Sequence, residues 1–201
     1  MPQNFTSAPE NYEIETFVRE GPDIVVTPAE HKGRGVLHSH SFYEIVYVAE
    51  GFTLHQSCGR ITMLITGDFF FVKPGEVHSY INAYQTKLYN LLFVPAALGD
   101  SFSALSALPG LDEMFSPSGE SLDPTHRLLH VSIGERRNIE SALEKMIGER
   151  ENKNVGWEVS LKARLTSLLI KYARMYDEQY DEHSAGGKKR SDNDYYGYIY
   201  K

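Results

Sequence analysis

A change of hydrophobic period divides this chain and limits what it can fold into. Up to about residue 95 the apolar segments are short, β-branched or aromatic, and separated by Gly and Pro at steps of roughly ten residues, as in YEIVYV (43–48), FFFV (69–72) and LYNLLFV (88–94). After residue 131 the apolar residues recur at helical spacing. The first pattern predicts an all-β barrel or sandwich, and the second predicts α-helices.

Two amphipathic helices are predicted after the β part. Ser132 and Glu135 fit a capping box at the start of the first helix, whose apolar face carries Ile139, Leu143 and Met146. The second helix carries a longer stripe: Leu161, Leu165, Leu168, Leu169, Tyr172 and Tyr176. One face of a small barrel is not expected to cover both stripes, so we expect them to form a homodimer. The alternative is that both helices pack on the barrel of their own chain.

Charge and cysteine content limit the partners and the environment. The formal net charge of −7 argues against nucleic-acid binding by these 201 residues alone, because phosphate binding needs a concentrated basic surface. The single cysteine, Cys58, cannot form an internal disulfide, and no segment has the apolar length of a membrane span or the pattern of a signal peptide. We therefore expect a cytoplasmic protein without membrane contact.

The stretch HSHSFYE (38–44) contains half of a candidate metal site. Side chains alternate between the faces of a strand, so His38, His40 and Glu44 share one face if the strand is unbroken. A later turn and strand, GDFFFVKPGEVHSYIN (67–82), supply His78. Three imidazole nitrogens and one carboxylate oxygen suit Zn, Ni, Fe or Mn. The alternative is a hydrogen-bonded polar pocket without metal.

The remaining histidines have no spacing partners that would form a site, and we expect them to be structural or exposed: His31, His55, His126, His130 and His183.

The two stretches resemble the paired motifs of the cupin superfamily. In the first motif the matching residues are His38, His40, Glu44 and Gly51, and in the second they are Gly67, Gly75, His78 and Asn82. One departure is Lys73, which stands where the family has a proline. The resemblance implies a mainly β fold, a cupin-like antiparallel β-barrel (double-stranded β-helix) followed by two α-helices, and it places His38, His40, Glu44 and His78 at the metal-ligand positions.

The order of segments is also similar to the N-terminal sensing and dimerisation region of AraC-type transcription regulators, over about residues 20 to 201. With the change of period, this resemblance implies an N-terminal extension (1–19), an effector-sensing barrel (20–131) and a helical dimerisation region (132–180). It implies that 181–201 hold a linker and the start of a helix-turn-helix domain. The DNA-reading part would then lie outside this chain, in keeping with its acidic charge.

Two functions follow from these expectations. As a sensor and not an enzyme, the barrel binds a small-molecule effector through His38, His40, Glu44, His78 and Tyr80, and binding changes how the helices pair. As a small cupin metalloenzyme of dioxygenase, isomerase or decarboxylase type, the same histidines and glutamate hold the catalytic metal. The helices and linker are expected in a regulator and unnecessary for catalysis, so the sequence favours the sensor.

Overall fold

Residues 9–57, 59–116 and 128–181 are described by the structure, a computed structural model. The strands are β1 (Glu10–Tyr12), β2 (Ile24–Gly33), β3 (His38–His40), β4 (Tyr43–Ser57), β5 (Arg60–Ile65), β6 (Asp68–Val72), β7 (His78–Phe93) and β8 (Leu129–His130). The α-helices are α1 (Ser101–Leu105), α2 (Leu111–Phe115), α3 (Ile133–Asn152) and α4 (Trp157–Asp181). The predicted order, a mainly β part followed by two long helices, is confirmed.

The long antiparallel pair of β4 and β7 forms the centre of the sheet. The two strands pair from Tyr43 opposite Phe93 to Ser57 opposite His78. β5 and β6 pair with the other edge of β4, and β2 and β3 pair with the other edge of β7. The register shifts three times along β4, and such bulges bend and twist a strand.

The late strand predicted near residues 128–131 forms as β8 and pairs with β6. Two features differ from the predicted all-antiparallel closed barrel. β1 pairs with β3 in parallel, through Glu10 opposite His38. Within the described residues, the hydrogen-bonded path through the sheet is open and runs from β1 to β8.

Residues 9–19 fall in the segment that the sequence assigns to an N-terminal extension. They contribute β1 to the sheet, and Ile14 and Val18 are buried against Phe42. The proposed boundary at residue 20 therefore cuts through a continuous structure.

The two faces of the β4–β7 pair support separate cores, because alternate side chains of a strand point to opposite faces. The inner cluster is formed by Val46, Val48, Leu64, Phe70, Val72, Tyr80 and Leu88. The outer face is equally apolar and carries Tyr43, Ile45, Tyr47, Phe69, Phe71, Leu91 and Phe93.

Helices α3 and α4 cover this outer face. The predicted stripe residues of both helices are buried in the same core as the outer aromatic residues of the sheet, and the ring of Tyr172 lies 5.5 Å from that of Phe69. The expectation that these stripes need a second chain is therefore wrong. The sheet covers the stripes because its outer face is also aromatic and aliphatic.

Side-chain bonds hold α3 against its neighbours. The helix begins after Ser132 as predicted, but the Ser132 side chain makes no capping bond. Glu135 instead forms an ion pair with Lys171 of α4. Near the other end of α3, the Arg150 guanidinium donates to the backbone carbonyls of Glu20, Pro22 and Ile24, at 2.9 to 3.1 Å. The helix is thus tied both to α4 and to the entry of β2.

Apart from Asp181 at the end of α4, the predicted linker at 181–201 lies outside the described residues. No helix in the described ranges combines the length and the apolar character needed to cross a membrane.

Replacing Leu165 by Ala should lower the free energy of unfolding by about 2–5 kcal/mol, because the side chain is fully buried between α4 and the sheet. The matched control is Ile133→Ala at the start of α3, where the side chain is 83% exposed and the expected change is within about 0.5 kcal/mol. Urea unfolding followed by circular dichroism measures both. Equal, small effects of the two substitutions would show that Leu165 is not part of the core of a single chain.

Candidate functional site

Three of the predicted side chains meet at the ends of their strands. His40 ends β3, Glu44 lies at the start of β4, and His78 begins β7. One ligand atom of each lies within 4.8 Å of the other two. The Oε2 atom of Glu44 is 3.2 Å from Nε2 of His40 and 3.6 Å from Nε2 of His78. All three residues are buried.

The sequence pattern predicts one unbroken strand through His38, His40 and Glu44. In the structure this strand is broken at residues 41–42. His40 and Glu44 nevertheless converge across the break. The ring of Phe42 stacks on that of His40 at 4.3 Å, and Phe42 packs with Ile14, Val18, Val25 and Leu92. This apolar cluster supports the His40 ring from behind.

His38, the fourth predicted ligand, lies beside the cluster and outside the group whose ligand atoms converge. It pairs across the sheet with His78, and the two rings are 4.2 Å apart. Its ring is 6.4 Å from that of His40. His38 is also the most exposed of the three histidines, so it stands at the edge of the site.

Hydrogen bonds at Nδ1 determine which nitrogen of His38 and His40 is available. Nδ1 of His40 is 2.7 Å from the carbonyl oxygen of Phe42, and Nδ1 of His38 is 3.0 Å from that of Val36. A carbonyl only accepts, so Nδ1 carries the proton in both rings, and a neutral imidazole then has a lone pair at Nε2. Metal-binding histidines in proteins are held in this way by a bond at the other nitrogen.

In this arrangement the centre of the cluster lacks a positive charge to balance the carboxylate of Glu44. With neutral His40, the Nε2 lone pair faces a carboxylate oxygen of Glu44 at 3.2 Å, and two acceptors at that distance repel. Within the described part of the chain, the buried Nε2 atoms of His40 and His78 and Oε2 of Glu44 have no hydrogen-bond partner, which is unusual for buried polar atoms. A second proton on His40 would form an ion pair with Glu44 but would leave His78 Nε2 without a partner, whereas a divalent metal ion would satisfy all three atoms.

The electrostatic environment favours an ionised Glu44 and a neutral His78. Burial raises the pKa of Glu44, whereas the nearby imidazoles of His40, His78 and His38 lower it, and the pKa lies below its ordinary value. Burial lowers the pKa of His78 to about 3, despite the opposing attraction of Glu44. Carboxylate and neutral imidazole are the forms that bind metal ions.

Tyr80 is buried two residues after His78 and belongs to the inner cluster. Burial raises the pKa of its phenol well above the ordinary value, and the charge of Glu44 raises it further. The phenol of Tyr80 is therefore neutral, and its ring lies 5.4 Å from that of His55.

His55 is a residue that sequence reasoning missed. It was expected to be structural because no histidine or carboxylate stands at a suitable spacing from it. In the structure its Nε2 lies 3.0 Å from Nδ1 of His78, since β4 and β7 are adjacent strands. Only the strand pairing, and no spacing within one segment, reveals this contact.

The bonds of the turn before His78 show why Lys73 can stand where the second cupin motif has a proline. The backbone N–H of Lys73 donates to Glu76 at 3.2 Å, a bond that proline could not make, and Lys73 Nζ donates to the Ser116 hydroxyl at 2.9 Å. Gly75 has a φ of 76°, which favours glycine, and its N–H donates to the carbonyl of His40 at 2.7 Å. Side-chain bonds thus close the turn that joins His40 to the start of β7.

Comparison with known proteins gives matches of three kinds. The family model described as AraC-like ligand binding domain matches residues 22–169. The HTH-type transcriptional activator RhaR of Klebsiella pneumoniae is 27% identical over 141 residues, which are 70% of this chain and 48% of the relative. RhaR of an Escherichia coli strain is 29% identical over 107 residues, 53% of this chain and 36% of the relative. The chain therefore spans about half or less of the length of these curated relatives.

Among solved structures, an RmlC-like cupin from Shewanella frigidimarina is 28% identical over 34% of this chain and 64% of its own, with a TM-score of 0.33. The family match is far more extensive. It begins just before β2 and ends within α4, so it takes in the sheet, the histidine and glutamate cluster and the helices packed on the sheet. This chain belongs to the AraC-like ligand binding domain family.

Proposed function

We propose that this chain is the effector-sensing domain of an AraC-type transcription regulator, which binds a small molecule and a divalent metal ion inside the barrel. The observation that carries the proposal is the buried cluster of His40, Glu44 and His78, whose three facing atoms find no hydrogen-bond partner among the residues that the structure describes. In a family described as ligand binding, atoms of this kind are the natural contacts for a ligand.

For the metal we propose His40, Glu44 and His78 as ligands, with His38 as a fourth. The donor set of imidazole nitrogens and one carboxylate oxygen suits Zn, Ni, Fe or Mn. A six-coordinate ion on four protein ligands keeps positions for an effector, and Tyr80 would contribute a hydroxyl contact to that effector.

The charges around the site limit the class of effector. Asn90 Oδ1 is buried and has no hydrogen-bond partner in the described part of the chain, and no lysine or arginine there is buried. A neutral effector would give hydroxyl or amide donors to such oxygen atoms. An anionic effector would depend on the charge of the metal, because burying an unpaired anion is costly.

We propose binding and not catalysis as the role of this site, because the relatives are named as transcriptional activators. The helices do not distinguish a sensor from an enzyme. Since α3 and α4 complete the core of the barrel, an enzyme on this scaffold would need them as well. DNA contact would come from a helix-turn-helix domain outside these 201 residues, whose net charge is −7. As a transcription regulator the protein would act in the cytoplasm.

We further propose a homodimer through the outward face of α4. Val159, Ala163, Thr166 and Ile170 recur there at steps of four, three and four residues, the spacing of a coiled-coil seam. These side chains line a groove along the helix, and Val159 is 72% exposed. A symmetric pair suits a regulator that reads two half-sites. The proposed dimer contact therefore lies on the face of α4 opposite the buried stripe, and not on the stripe itself.

Protein purified without chelators should contain about one equivalent of a divalent metal by elemental analysis. Glu44→Gln and His78→Ala should each lower metal affinity by more than about 100-fold, because the first replaces an anionic carboxylate ligand with a neutral amide and the second removes a ligand atom. His38→Ala should have a smaller effect, because His38 lies outside the converging group.

The matched control for these substitutions is His130→Asn, which keeps a side-chain donor for Asp68, the partner of His130 at 2.8 Å. It should leave metal binding unchanged. Wild-type protein that takes up no metal at micromolar concentration would contradict the metal site and would leave the ion pair between protonated His40 and Glu44.

An effector should raise the melting temperature of the wild-type chain, and Tyr80→Phe should reduce that shift because it removes the proposed hydroxyl contact. Tyr84→Phe, an exposed tyrosine on the same strand, is the control and should behave as wild type. Thermal denaturation with polyhydroxylated and carboxylate compounds, each with and without added metal, measures this. A carboxylate that binds equally well without metal would contradict the proposed role of the metal charge.

Light scattering should show a dimer of the wild-type chain at micromolar concentration, and Val159→Glu and Ile170→Glu should give folded monomers, because each places a charge in the proposed seam. Ile61→Glu, at an exposed isoleucine on β5, is the control and should remain dimeric. A wild-type chain that stays monomeric at high micromolar concentration would rule out this contact.

A further inference from the structure

His55 is a buried histidine with no place in either metal-binding motif. Its side chain is 1% exposed and lies between two aromatic rings, 4.5 Å from Phe70 and 5.4 Å from Tyr80. Its Nε2 faces Nδ1 of His78 at 3.0 Å. The ring thus stands directly behind one of the proposed metal ligands.

A register shift between β4 and β7 brings His55 and His78 to the same face of the sheet. Leu54 is opposite Asn82, but the next residue, His55, is opposite Tyr80 and not Ile81, so the extra residue lies in β7. Residues directly opposite each other share a face, so without the shift His55 and His78 would lie on opposite faces. Bulges near functional sites commonly redirect a side chain in this way.

Only one of the two neutral arrangements of this histidine pair leaves His78 Nε2 able to bind a metal ion. If His55 donated its Nε2 proton, the remaining proton of His78 would sit on Nε2, which would have no lone pair for a metal and would lie 3.6 Å from Glu44, too far for a normal hydrogen bond. If His78 donates from Nδ1 to His55, that bond is made at 3.0 Å, and the lone pair of His78 Nε2 faces Glu44 across the position that a metal ion would occupy.

We propose that His55 is a positioning residue, which accepts the Nδ1 proton of His78 and so holds His78 Nε2 ready to bind the metal ion. This inference rests on the proposed metal site and adds a residue that acts through a ligand without touching the ion. The ring contacts with Phe70 and Tyr80 fix the orientation of His55, and through it that of His78. Loss of such a supporting partner in other metal sites costs about 10- to 100-fold in affinity.

Two substitutions separate the hydrogen bond from the packing. His55→Leu fills a similar volume without an acceptor, whereas His55→Gln keeps a side-chain oxygen that can accept near the position of Nε2. Thr53→Val, at another buried polar residue of β4, is the control for a general disturbance of the interior. Circular dichroism and urea unfolding of each variant establish that it is folded.

Metal affinity is measured by competition with a chromogenic chelator, using Zn²⁺ and Co²⁺. His55→Leu should bind about 10- to 100-fold more weakly than wild type, while His55→Gln and Thr53→Val should retain most of the affinity. Equal affinity of folded His55→Leu and wild type would overturn the proposal. An equal loss in Thr53→Val would do so too, because it would trace the effect to packing.

A second measurement does not depend on metal. Long-range ¹H–¹⁵N correlation spectra of the metal-free protein show which nitrogen of His78 carries the proton. We expect Nδ1 in the wild type and in His55→Gln, and a shift toward the Nε2 form in His55→Leu. Protonation at Nε2 in the wild type would overturn the role of His55. Wild-type protein that binds no metal but shows the expected tautomers would remove the metal from the proposed function and leave the orienting role of His55 intact.

Discussion

The structure depends on the pairing of β4 with β7 along their whole length. Because side chains alternate along a strand, this pair presents Glu44, Val46 and Leu88 to the interior, and Ile45, Tyr47 and Leu91 to the helices. A slip of one residue between the strands would exchange the two faces and disrupt the site and the helix-packing surface together. Register shifts between the two strands make the necessary local adjustments, of which the one beside His55 is the most consequential.

Features that depend on local sequence could be predicted, and features that depend on contacts between distant segments could not. The convergence of His40, Glu44 and His78 follows from spacing and turn residues within two short stretches, and the start of α3 after Ser132 follows from local helix signals. By contrast, the contact between His55 and His78, the parallel β1 strand and the covering of the α4 stripe all arise where separate segments meet. Spacing within one segment carries no information about such contacts.

The chemistry of the cluster is determined largely by bonds at its periphery. The carbonyls of Val36 and Phe42 fix the proton positions of His38 and His40, and the N–H of Gly75 holds the backbone of His40 in place. Lys73 shows that the same turn can be closed without the proline that the family motif contains, through its bonds to Glu76 and Ser116. In this chain the geometry of the inward-facing atoms is therefore held by other bonds than those that the motif suggests.

The two faces of α4 contribute differently to folding stability. Its inward leucines are buried in the core, so substitutions there lower folding stability. Val159 and Ala163 face outward and contribute little to folding stability. Sequence change on the outward face is consequently almost neutral for the fold. In the proposed dimer, that face would be free to diverge between related regulators of one cell, so that each chain pairs with its own kind and mixed assemblies are avoided.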